Sequence, residues 1–335
     1  MRTNPPSLQL GIFACLVLAG SFSPNAFGQT LKQVTKFDLP GPGGKRFDYL
    51  TIDEDDHYLL SAHLAAGQTY VIDLGTNKVI ATITDTPGAE GVEYVPELKK
   101  FYTSNAHDNT IGVVDLKQMK VIKKLKTEAK PDGSTYAAPF HKLYVSDERG
   151  KAEAIVDVQK DEIIRTLHFD SETGMPQYDP VARKVYLNLQ DQNIFAIIDP
   201  ATDQVTGRYP VGKCEGNHGM ALDPEHHRAF LSCEGNELMT VFDLDKHAPI
   251  AFLKMPGDPD VIKFDPVWAA STLRVTAAPS PYSTRTTRTT IASSKTSASN
   301  TPCTRWPSIS KPIVCTRPNR KKMASLSREW SCTRP

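Results

Sequence analysis

The chain has 335 residues, with 39 Lys+Arg against 38 Asp+Glu and 39% hydrophobic residues. That length supplies a sizeable core, but the near-neutral total conceals a split. Residues 1–267 carry 27 Lys+Arg against 37 Asp+Glu, a net of −10, whereas residues 268–335 carry 12 against 1, a net of +11. A uniform single domain is excluded, and so is a polytopic membrane protein, because the single long apolar run lies near the N-terminus.

Residues 1–28 read as a secretory signal. Arg2 supplies the positive start, residues 8–19 the apolar stretch, and Ala26-Phe27-Gly28 the small-x-small cleavage site before Gln29. Export predicts a periplasmic or secreted location, an oxidising compartment and no membrane span once the signal is removed. Of the six cysteines, Cys15 leaves with the signal, and Cys303, Cys315 and Cys332 lie in the basic C-terminal region. Cys214 and Cys233 remain as the pair in the body, and a disulfide between them would contribute about 3 kcal/mol.

Residues 31–39 read as one isolated strand. After it, strand signals recur with a fixed period. An apolar stretch ending in aspartate appears as YVID at Asp73, GVVD at Asp115, AIVD at Asp157, AIID at Asp199 and TVFD at Asp243, spaced 42, 42, 42 and 44 residues apart. A second column, Asp53, Val95, Ala137, Asp179, Asp223 and Asp265, keeps step at 42, 42, 42, 44 and 42. One unit shows the pattern within the period: GVEYV, KFYTS, TIGVVD and KVIKKLK, each rich in β-branched or aromatic residues and separated by turn residues. No amphipathic helix of ten or more residues is evident. Four antiparallel strands every 40–45 residues or so form the repeat of a β-propeller blade, which buries its two apolar faces against neighbouring blades. The expected fold is all-β: a propeller of four-stranded antiparallel blades over residues 29–267. Five blades are complete and one is partial, with about seven in an intact frame.

The repeat stops after Pro266, and residues 268–335 become rich in Thr, Ser, Arg and Pro. Synonymous codons for Trp268 onward, read from the third base of each triplet, can spell IYVACYSGAISVF and HSLAVDLKTHRVYAP. Both restore the repeat in register. The tail is therefore read as a frameshifted, disordered basic segment rather than a functional arm. On this reading the strand at 31–39, which should close the last blade, is left without a partner and exposes an edge.

The repeat register also nominates a site. Five residues before the second column stand Asp48, Glu90, Asp132, Gly174, His218 and Asp260. They precede each innermost strand, so blade geometry places them around one mouth of the central channel. Carboxylates there suit Ca²⁺ or Mg²⁺, and the imidazole adds a Zn²⁺ option, making Glu90, Asp132, His218 and Asp260 candidate metal ligands. The same groups could hold a cationic ligand, serve as acid and base, or simply line a hydrated channel. A second column, His63, Asn105, Asp147, Leu189 and Cys233, falls where second strands end on the same face, with His107 close by. Turn capping competes there with ligand binding. The His226-His227 pair reads as an exposed turn.

LYVSD at Leu143, VYLNL at Val185 and DNTIGVVDLKQMKVI from Asp108 resemble YVTN-type β-propeller repeats, as found in exported bacterial proteins similar to the YncE family and in archaeal surface-layer proteins. The resemblance spans roughly residues 45–267. It implies about seven blades around a channel with binding on one face, and no single reaction. The leading expectation is a monomeric exported binding protein with a small molecule or protein at the channel face; its cofactor, if any, is unassigned beyond a divalent metal. One alternative is a metal-dependent lactonase-type hydrolase, by analogy of fold alone. A redox quinoprotein is weaker, because no cofactor motif appears. Nucleic-acid binding, as in YncE-like relatives, is opposed by the −10 body charge. Its one local support is the stripe Lys117, Lys120, Lys123, Lys124 and Lys126. No nucleotide loop, nucleophile elbow or His-Glu-x-x-His motif assigns catalysis.

Overall fold

The computed structural model describes residues 32–40, 47–255 and 257–265, together with four later strands, Ala270–Thr276, Thr290–Ala292, Val314–Thr316 and Glu329–Arg334. The signal at 1–28 lies outside the described residues, as does the rest of the 268–335 tail.

Strand β1 (Lys32–Asp38) comes first. Five four-stranded antiparallel sheets follow in strict sequence order. The first holds β2 (Leu50–Asp53), β3 (Tyr58–His63), β4 (Gln68–Asp73) and β5 (Lys78–Ile83). The second holds β6 (Ala89–Val95), β7 (Lys100–Asn105), β8 (Thr110–Asp115) and β9 (Lys120–Lys126). The third holds β10 (Pro131–Ala137), β11 (Lys142–Asp147), β12 (Ala152–Asp157) and β13 (Glu162–His168). The fourth holds β14 (Thr173–Asp179), β15 (Lys184–Leu189), β16 (Ile194–Asp199) and β17 (Gln204–Pro210). The fifth holds β18 (Asn217–Asp223), β19 (Arg228–Cys233), β20 (Leu238–Asp243) and β21 (Ala248–Lys254). A sixth, three-stranded sheet follows, with β22 (Asp258–Asp265), β23 (Ala270–Thr276) and β24 (Thr290–Ala292). First strands pack against first strands from one sheet to the next, β2 to β6 to β10 to β14 to β18 to β22. This is the radial arrangement of a propeller, with the first strand of each blade at the hub.

Both sequence columns have a physical cause. Each repeated aspartate folds its side chain over the turn that follows. Asp115 accepts from the Lys117 and Gln118 amides at 2.8 and 2.9 Å, and Asp243 from Asp245 and Lys246 at 3.1 and 3.0 Å. Asp53 and Asp179 do the same between first and second strands. Such Asx turns hold the amides that the hairpin leaves unpaired, so aspartate recurs at fixed intervals. Middle strands are buried on both faces, and outer strands alternate. Buried polar contacts join neighbouring blades: Tyr102 and Tyr144 donate to Asp161 and Asp203 at 2.5 and 2.7 Å, and Lys100 and Lys142 pair with the same aspartates.

The strand at 31–39 departs from expectation. β1 is not left alone: it pairs with β26 (Glu329–Arg334), which pairs in turn with β25 (Val314–Thr316). Backbone pairing is indifferent to side-chain sequence, so an open edge recruits whatever extended segment reaches it. Phe37 and Leu39 then pack with Leu59, Tyr70 and Ile72 of the first blade, and the Tyr70 hydroxyl donates to the Pro40 carbonyl at 2.6 Å.

Candidate functional site at the channel mouth

The hub strands overlap so closely that the residues after two of the mouth positions, Glu90 and His218, are under steric constraint. A Cβ at Gly91 would stand 2.2 Å from the Asp132 carbonyl oxygen, and one at Gly219 would stand 1.9 Å from that of Asp260. Glycine is therefore required there for packing, not for its dihedral freedom. A polar residue near the end of a second strand then fastens the backbone of the next blade's mouth residue. Ser146 donates to the Gly174 carbonyl, Asn188 to that of His218 at 2.9 Å, and Ser232 to that of Asp260 at 2.9 Å. The mouth side chains thus project from a backbone held by the neighbouring blade.

Glu90, Asp132, His218 and Asp260 are 2–6% exposed and converge. His218 Nε2 lies 3.5 Å from Asp260 Oδ1 and 4.0 Å from Asp132 Oδ2. The blade between His218 and Asp132 contributes only Gly174, so nothing larger separates them. Asp48 is buried beside Tyr49, whose amide donates to the Glu90 carbonyl at 3.1 Å.

Three further residues complete the mouth, and the column argument missed them. Lys130 ion-pairs with Glu148 and lies 3.6 and 3.7 Å from Glu90 and Asp132. Glu234 joins His218 and Asp260, each offering a ligand atom within 4.8 Å of the others; Glu90, Asp132 and Glu148 form a second such group. Glu148 and Glu234 each follow a member of the second-strand column, so a search one position further would have found them.

The electrostatics divide this cluster. Burial, reinforced by the Glu90 carboxylate, pushes Asp132 well above the usual carboxylate range. Burial also works against the Lys130 charge, but Asp132, Glu90 and Glu148 outweigh it and hold the ammonium above its ordinary value. Glu148 stays below its ordinary value because Lys130 and a hydrogen bond to Asp132 overcome its burial. One ammonium thus sits among three carboxyl groups, with Asp132 shifted up and Glu148 shifted down. Deeper along the hub strands, Glu93 is raised to about 7 by burial, partly countered by Lys263, whose own ammonium is lowered by burial. Both retain access to solvent while being surrounded by protein, as groups lining a narrow channel are.

The second column has other partners. His63 stacks on Phe47 with ring centroids 3.7 Å apart and meets the Tyr70 hydroxyl at 3.1 Å. Asn105 bonds Thr103 and Thr110 within its own blade. Asp147, raised to about 6 by burial, accepts from the Glu128 amide at 3.3 Å. His107 is exposed and packs over Gly88. Cys214 and Cys233 form a disulfide with Cα atoms 5.2 Å apart. It ties the segment entering β18 to the end of β19, directly beside His218 and Glu234. His226 and His227 are held at their turn by Asp223 and Asp245.

No family model matches the chain, and no curated protein matches it. Among solved structures, it is similar to hydrazine synthase of Kuenenia stuttgartiensis, with 16% identity over 79% of this chain and 99% of that one and a TM-score of 0.51. It is also similar to a chain of the mitotic checkpoint complex (11% identity, 82% of each chain, TM-score 0.63) and to U3-55K (10% identity, 72% of this chain and 77% of that one, TM-score 0.60). At such identities the likeness speaks for the fold alone. With the stacked sheets it defines the class: the chain is a β-propeller protein with a WD40-like fold.

Proposed function

We propose that this is an exported binding propeller of the YVTN-repeat, YncE-like kind, which holds a small positively charged ligand at the acidic mouth of its channel. One observation carries the reading. Buried carboxylates and an imidazole from separate blades face a common space, with His218 4.0 Å from Asp132 and 3.5 Å from Asp260. Carboxyl groups at this mouth outnumber the Lys130 ammonium, so the local field favours a further cationic occupant. The Cys214–Cys233 disulfide supports export, since such bonds persist in oxidising compartments.

Nucleic acid fits less well. In the β9 lysine stripe, Lys124 is engaged by Asp85 and Asp108 at 2.6 and 3.0 Å, and Lys126 by the Asp108 carbonyl at 3.2 Å. A phosphate-binding face needs clustered cations available to the backbone.

The test is a thermal-shift titration with spermidine, choline and arginine methyl ester, comparing the parent protein with Asp132→Asn. A saturable rise in Tm of several degrees is expected at about 100 times Kd, and the variant should abolish it. A response to none of the three, or one that Asp132→Asn leaves intact, overturns the reading.

A further inference from the structure

We propose that His218, Glu234 and Asp260, with Asp132 on the fourth side, form a binding site for a first-row divalent cation of the Zn²⁺ type. The inference rests on the channel-mouth reading and names one occupant of that mouth. His218 enters from the start of β18, Glu234 from the residue after β19, and Asp260 from β22 of the next blade. Their donor atoms lie within 4.8 Å of one another, and His218 Nε2 is 3.5 Å from Asp260 Oδ1. A tetrahedral ion with bonds of about 2.0 Å has ligand–ligand edges of about 3.3 Å. Small side-chain adjustments therefore bring the set onto an ion.

A second observation is independent of that grouping. Asp132 is 4% exposed; Lys130 at 3.7 Å and Glu148 engage its carboxyl group, its Oδ1 makes no hydrogen bond to a described donor, and its Oδ2 faces His218 Nε2 at 4.0 Å. A carboxyl group so placed has lone pairs left for a cation beside His218.

The supporting shell suits a preorganised site. Asn188 holds the His218 carbonyl, Ser232 that of Asp260, and the Cys214–Cys233 disulfide brackets the hairpin that carries His218 and Glu234. The donor chemistry selects the ion. One imidazole and a few carboxylates fit a four-coordinate first-row cation, whereas Ca²⁺ wants six to eight oxygens. The neighbouring group of Glu90, Asp132 and Glu148 is a poorer candidate because the Lys130 ammonium already lies within 3.7 Å of Glu90 and Asp132 and ion-pairs with Glu148.

Calorimetric titration of the chelator-treated, disulfide-intact protein with ZnCl₂ tests the site, and Co²⁺ absorption reports its geometry. One Zn²⁺ per chain is expected, with intense visible Co²⁺ bands of the four-coordinate form. His218→Ala and Glu234→Gln should each weaken Zn²⁺ binding at least tenfold, with far-ultraviolet circular dichroism confirming that the sheets persist. The double change His226→Ala and His227→Ala should leave binding unaltered, which controls for the surface histidines. Absence of stoichiometric binding, retention of full affinity in His218→Ala, loss in the His226/His227 variant, or tighter binding of Ca²⁺ than Zn²⁺ each overturns the metal site. If the organic cations shift Tm through Asp132 while Zn²⁺ does not bind, the mouth reading stands and only the metal falls. If Zn²⁺ binds and the organic cations do not, the small-ligand reading of the mouth falls and the metal site alone stands.

Discussion

Asp115 and Asp243 at the blade turns lie below the usual carboxylate range because turn amides donate to them, and Asp157 and Asp199 do so through Lys160 and Lys184 first and the amides next. Inside the propeller the same functional group behaves in the opposite way. Asp132 at the hub and Glu153 in the middle of the third blade are pushed up, first of all by burial. Turn acids are ionised and recur with the period because every blade needs the same hairpin. Interior positions differ from blade to blade: the mouth column mixes carboxylates with Gly174 and His218, and Glu153 answers to Thr69, Ile111, Phe195 and Met239 in the other blades. A residue type that repeats in every blade marks architecture, and a position whose residue type varies from blade to blade marks chemistry.

Glu153 shows how the interior manages a lone acid. Ser146 lies within hydrogen-bonding reach of both Glu153 Oε2 and the Gly174 carbonyl. A hydroxyl has one proton. With that proton on the carbonyl, Glu153 must itself donate, which requires the protonated acid.

The largest effect should come from disturbing the hub without touching any charge. Gly219→Ala forces a Cβ against the Asp260 carbonyl oxygen, 1.9 Å away, and should lower stability by about 3 kcal/mol in urea denaturation. A change close to zero would show that the hub strands are looser than drawn, and the contrast between rim and hub would lose its basis.

Next comes Glu153→Gln, whose amide can still donate to Ser146. The folded protein holds this proton to higher pH than the unfolded chain does. Stability is therefore lost as pH rises from the ordinary carboxylate pKa towards the folded one. The variant should be more stable than the parent by about 1–2 kcal/mol at pH 8, and the gap should narrow towards pH 4. A difference independent of pH would remove Glu153 from the interior class.

The smallest effect belongs to the rim. Asp115→Ala removes an acceptor for two turn amides and the Gln118 side chain, at a site open to solvent, and should cost about 0.5–1 kcal/mol at pH 7. The sign is opposite to that of Glu153. With its folded pKa depressed, this contribution is present above the unfolded pKa and disappears as pH falls through the folded one. Equal stability of variant and parent at pH 7 would sever the link between repeat and turn.

Much of this was legible in one dimension. Hairpin chemistry writes Asp73, Asp115, Asp157, Asp199 and Asp243 into the chain at near-constant spacing, and a column fixed to that register led to Asp132, His218 and Asp260. What stayed hidden depends on distances between blades. Lys130, Glu148 and Glu234 matter because the hub is narrow, and a residue column carries no radius. The glycines at 91 and 219 show only as gaps until a neighbouring carbonyl is placed against them. The partner of β1 was hidden for another reason: edge pairing is a property of the backbone, and no side-chain pattern announces it.

The Cys214–Cys233 cross-link acts on the denatured chain as well as on the native one. It closes a loop spanning a sequence separation of 19, so the ends of that hairpin stay near each other even when hydrogen bonds are gone. His218 and Glu234 therefore start any refolding already within a short tether. This hairpin of the rosette can regain its shape from local order, whereas Glu90 and Asp132 must wait for whole blades to dock.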